Sequence, residues 1–178
     1  MIKPALLLPP VISPDFRYPQ ALSDYCETAD EHDLHPWYVM TDPEEASDWL
    51  EIVREQYPNR NLIPFARNED TGDDIACFDG ADTTGEPKIH FVHTFSDPDW
   101  SDFGYVLNIP EFLADVRDHN AKHLRDLAED AEAAKAEGAP PIEHSPYGWQ
   151  NVLLIGRPKE SDKDLPPTAF AGHRRRWD

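Results

Sequence analysis

Residues 62 to 79 constrain this chain more than any other stretch. Two apolar runs, Leu62 to Ala66 and Ile75 to Phe78, flank a polar loop that holds Gly72. Apolar runs of this length around an acidic, glycine-containing turn predict a β-hairpin. Gly72 takes a positive φ at no steric cost, and Asn68, Asp70 and Asp73 carry side chains that bond their own backbone. Pro64 lacks an N–H, which makes the first strand start late or lie at a sheet edge.

The rest of the pattern extends this hairpin into a sheet. Lys88 to Phe95 alternates in polarity and predicts a third strand of an antiparallel meander. Tyr105 to Leu107 predicts a last short strand after a loop over Ser96 to Gly104. Trp37 to Met40, following Pro36, predicts another short strand upstream. Three helices are expected around them. The first follows Pro19, with Leu22, Tyr25, Cys26 and Ala29 at helical spacing, and stops near Glu31 to Asp33. The second opens on Asp42-Pro43-Glu44-Glu45, with Asp42 as N-cap, Pro43 in the first turn and Glu45 reaching back as in a capping box. Ala46, Trp49, Leu50, Val53 and Tyr57 line its inner face, which gives Trp49 a core role over a binding one, and Pro58 ends it. The third opens on Asn108-Ile109-Pro110-Glu111, docks by its first two turns and extends into solvent until Gly138. These elements predict an α+β fold, a mostly antiparallel sheet packed by helices.

Eighteen prolines punctuate the chain, five of them among its first 19 residues. That segment cannot form a long helix and is expected to lie as an extended arm over the domain. The expected organisation is an arm and short helix over 1–35, a core over 36–137, and an extension over 138–178. In the extension, Trp149 to Ile155 is apolar enough for an edge strand, and Arg174-Arg175-Arg176 reads as a solvated terminal charge run.

The formal net charge is −19. Phosphate contacts need Lys and Arg, so this charge weighs against nucleic acid, and it weighs equally against anionic membrane surfaces. It suits a basic protein partner, which an acidic field would steer in. Two cysteines, Cys26 and Cys77, fall on apolar faces and are expected as buried free thiols. No signal-peptide pattern is evident, and the run Ala5 to Leu8 is too short for a bilayer, so a cytoplasmic protein is expected.

Residues 69 to 102 hold ten carboxylates and one cation, Lys88. The candidate partner-binding residues are Asp70, Asp73, Asp74, Asp97, Asp99 and Asp102, with Trp100 as an aromatic anchor. The competing reading is a solubilising, turn-forming face. Asp70, Asp73 and Asp74 do not match a calcium-loop spacing. His90 and His93 lie three apart on a strand and point to opposite faces. His119 and His123 have the i, i+4 spacing of zinc ligands, but Asn120 follows His119 where a zincin has Glu, and a solvated helix face is the simpler reading. There is no nucleophile-elbow, Walker A or dinucleotide-binding motif. A non-enzyme without cofactor or metal is expected.

The ordered set Leu62-Ile63-Pro64-Phe65-Ala66, Gly72-Asp73-Asp74-Ile75-Ala76-Cys77-Phe78-Asp79, a strand over 88–93, and Ile109-Pro110-Glu111-Phe112-Leu113 resembles the SUKH (SMI1/KNR4-like) superfamily over residues 36 to 117. Of the family's N-terminal helix ending in an Asn-Gly-Gly turn, residues 19 to 35 keep only a helix, since the chain contains no Gly-Gly. The resemblance implies a compact α+β domain that binds proteins. Its bacterial members look like immunity proteins that neutralise a cognate toxin, and its fungal members like regulatory interaction proteins. It carries over no catalytic residue. Immunity by occlusion is therefore the leading expectation, with a regulatory scaffold and a small metal-dependent hydrolase built on His119 and His123 as alternatives.

Overall fold

The structure, a computed structural model, describes residues 1–29, 33–69, 71–94 and 102–136. Its elements run α1 (Gln20–Thr28), β1 (Trp37–Val39), α2 (Pro43–Gln56), β2 (Leu62–Asn68), β3 (Asp74–Asp79), β4 (Ile89–His93), β5 (Asp102–Val106) and α3 (Ile109–Ala136). The five strands form one sheet in sequence order, with every neighbouring pair antiparallel. This is the expected α+β meander.

Helices cover the sheet on both faces. On one face, Trp37, Phe65 and Phe91 converge on Phe112 of α3, with ring centroids 5.4 to 6.2 Å away. On the other, Arg67 of β2 lies over the Trp49 ring of α2 at 5.0 Å. Double cover explains why β2 and β3 are buried along almost their whole length and do not alternate. The helix α1 sits beside α3, where Arg117 stacks over Tyr25 at 5.7 Å and pairs with Asp33.

The arm is part of the core. Leu7, Ile12 and Phe16 are buried, and Phe16 and Tyr18 pack edge-on or tilted against Phe78. The backbone N–H of Ile2 donates to Cys26 and that of Ala5 to Met40, at 2.7 and 2.8 Å. Arg54 of α2 donates to the Val11 carbonyl. Side chain and backbone together hold this proline-rich segment without regular structure of its own.

Three local expectations are corrected. Pro64 does not delay β2, which starts at Leu62, and β2 lies between β1 and β3 rather than at a sheet edge. Pro64 lies where the β2–β3 register shifts, beyond the reach of β1, whose partners are Ala66 to Asn68. A bulge with an open flank asks no N–H of it. Glu45 does not reach back to the helix start. It accepts from the Tyr38 hydroxyl at 2.7 Å and pairs with Arg67 at 3.4 Å, leaving Asp42 alone to cap Glu44 N–H. Finally, β5 begins at Asp102, three residues earlier than expected. Gly104, at φ 136°, sits opposite Phe91 where the β4–β5 register shifts. A glycine and an aspartate argue against a strand, and only pairing to β4 overrides them.

The docking of α3 by its first turns follows expectation, while Gly138, expected to end it, lies outside the described residues. Ile109, Phe112 and Val116 are buried, whereas Leu124 is 52% exposed. Asn108 accepts from Glu111 N–H at 3.0 Å, and the Glu111 carboxylate accepts from Leu107 N–H at 2.7 Å. The expected strand over Trp149 to Ile155 and the arginines 174–176 lie outside the described residues.

Candidate functional site

The β2–β3 turn is fixed by its own polar groups. The Asn68 side chain accepts from Thr71 N–H, its carbonyl accepts from Gly72 N–H, and Thr71 Oγ1 accepts from Asp74 N–H. Gly72 takes the expected positive φ of 74°. Arg67 clasps the turn from below, donating through Nε to the Gly72 carbonyl at 2.8 Å while its plane covers Trp49. Trp49 is half-buried under that guanidinium.

Two of the candidate acidic residues can be placed in full. Asp73 is half-exposed in the turn, and its carbonyl accepts from both the amide and the hydroxyl of Thr94. Asp74 is not on the surface as expected of a partner-binding residue: it is 1% exposed and its Oδ1 meets His93 Nδ1 at 2.8 Å across the β3–β4 ladder. Burial raises the Asp74 carboxyl above its ordinary value, against the lowering effect of the His93 contact. The Asp74 hydrogen bond in turn raises the His93 imidazole, against the effect of burial. The two groups hold a proton between them more tightly than either would in water. Asp70, Asp97, Asp99 and Trp100 lie outside the described residues, as does the side chain of Asp102 at the start of β5.

Both thiols are buried, and burial pushes Cys26 up to about 11, which leaves it unreactive as a nucleophile near neutrality. His119 is half-exposed on α3, and the His123 side chain lies outside the described set. Among the described residues, no group of three or more His, Cys, Asp or Glu is placed to hold a metal ion.

The best-defined acidic surface lies elsewhere. Glu44, Asp48, Glu51 and Glu55 are all exposed on α2. Their spacing of four, three and four places puts them on one face, opposite Ala46, Leu50 and Val53, which are buried against the sheet. The stripe runs about 16 Å along the helix. On one flank, between α2 and the arm, lies an open groove of about 460 Å³ lined by Val11, Ser47, Leu50, Glu51, Arg54 and Glu55. The 44, 48, 51, 55 period was visible in the sequence, but the Asp42 to Glu45 run reads first as a helix start. The groove was not visible, because Val11 and Leu50 are 39 places apart.

No family model, curated protein or solved structure matches the chain. No described helix is long and apolar enough to cross a membrane.

Proposed function

We propose that this chain is a non-enzymatic protein-binding domain that docks a basic partner surface, most concretely as a SUKH-type immunity protein that neutralises a toxin by occlusion. The observation that carries this reading is the stripe of four exposed carboxylates on a helix anchored by its opposite face. Such a stripe is held in fixed register, so Lys or Arg side chains meet it without reorganising the backbone. The net charge of −19 adds long-range attraction for a cationic partner. The immunity reading comes from the SUKH resemblance of the ordered sequence motifs at 62–66, 72–79, 88–93 and 109–113.

The test is capture of partners from the native lysate at low and at raised salt, with the chain and with its D48K/E51K variant. The expected result is one basic protein retained at low salt, released by salt and lost with the variant. The same protein retained equally by the charge-reversed variant would overturn the electrostatic mechanism. Protection of cells from that protein's activity distinguishes immunity from a regulatory role.

A further inference from the structure

The arm turns part of its apolar surface outward. Leu7 and Ile12 anchor it, while Leu8 between them is 67% exposed, Val11 41% and Leu6 37%. Pro9 and Pro10 complete an exposed apolar tip. Arg54 ties this tip to α2 through the Val11 carbonyl, and Val11 is the residue of the tip that lines the groove. The opposite wall is the acidic stripe, with Glu51 and Glu55 lining the groove itself. Apolar surface and carboxylates therefore run side by side.

We propose that this groove and the exposed tip beside it form a docking site for a basic amphipathic segment of a partner protein, with one aliphatic side chain seated against Val11 in the groove and a second on the exposed Leu8. Lys or Arg on the segment's next face then meets Asp48, Glu51 and Glu55. The inference rests on the protein-binding reading and names the partner chemistry it requires. Charge selects this occupant. A second copy of the chain would set two carboxylate stripes against each other, and an anionic lipid surface would be repelled by the same groups. An uncharged apolar segment would leave the stripe without counter-charges. The apolar tip supplies what a purely electrostatic encounter lacks, a desolvated anchor at the centre of a polar rim.

The test uses the full chain and a synthetic helical peptide with leucines at i, i+3, i+4 and i+7 and lysines elsewhere. Amide shifts are followed by NMR, and affinity is compared for the wild type, the L8S/V11S variant and the E51K/E55K variant. The expected shifts concentrate at residues 6–11 and 44–55, and each variant binds about tenfold more weakly or worse. The L8S/V11S substitutions leave the net charge unchanged and touch exposed side chains, so their loss reads the apolar anchor alone. Unchanged affinity in L8S/V11S, with binding still abolished by salt, would overturn the groove and leave the general acidic-surface reading standing. Shifts centred on the β2–β3 turn would do the same. A gain in affinity on reversing the charge of Arg174, Arg175 and Arg176 would assign the groove to the chain's own terminal arginines and overturn the partner proposal.

Discussion

Replacing Asp74 with asparagine tests the polar pair at the end of the β3–β4 ladder. Asn has the shape of Asp, so Oδ1 still accepts from a neutral His93 Nδ1–H, and only the charge is removed. A hydrogen bond between charged partners contributes about 1.5–3 kcal/mol, against about 1 for a neutral one. Asp74 is almost fully buried and the His93 side chain 16% exposed, so solvent screens the pair only from the His side. D74N is therefore expected to lose about 1.5 kcal/mol below the ordinary imidazole value. The sign with pH follows from the raised values. A raised His93 means the folded state holds the proton more tightly, so this stability is full below about pH 6.5 and is lost as pH rises through the folded value. Asp74, raised by burial, acts in the same direction above its ordinary carboxylate value. The difference between wild type and D74N should therefore shrink as pH rises through the folded His93 value, because D74N then removes a buried carboxylate that has lost its charged partner. Urea unfolding reads this directly. With a slope of about 2 kcal/mol/M, the midpoint falls by about 0.75 M at acid pH and by much less at alkaline pH. NMR titration of His93 gives a second reading, since its value should drop in D74N. An equal midpoint shift at both pH values, or an unmoved His93, would refute the account of this pair.

Other substitutions probe the remaining contacts. Arg67→Ala removes the guanidinium from Trp49, Glu45 and the Gly72 carbonyl, and should cost about 2 kcal/mol while speeding hydrogen exchange in the β2–β3 turn. Phe16→Ala should cost about 3 kcal/mol by thermal unfolding, as much as a sheet residue, because the arm side chain is 5% exposed and packs on Phe78. Asn108→Ala removes the acceptor for Glu111 N–H and should cost about 1 kcal/mol, with helix loss by circular dichroism confined to the start of α3.

Much of the fold was legible because its causes are local. The β2–β3 hairpin follows from two apolar runs and the conformational freedom of Gly72. Asp42 and Asn108 start their helices by accepting backbone N–H groups a few residues ahead, and 3.6-residue spacing marks the buried faces of α1, α2 and the first turns of α3. The proline-rich arm excluded a helix by covalent geometry alone. What each element meets was a matter of tertiary structure. Asp74 looks like a turn carboxylate beside Asp73, yet the ladder carries it inside against His93, 19 residues away. Glu45 looks like a capping group until the sheet presents Tyr38 and Arg67. The strand at Asp102–Val106 exists because β4 offers it partners, and Pro64 is tolerated because a bulge and the short reach of β1 leave its missing donor unneeded. The α2 stripe was written in the sequence as a period of charge. Its position beside an apolar arm depends on packing between residues some forty places apart, and no local preference encodes that distance.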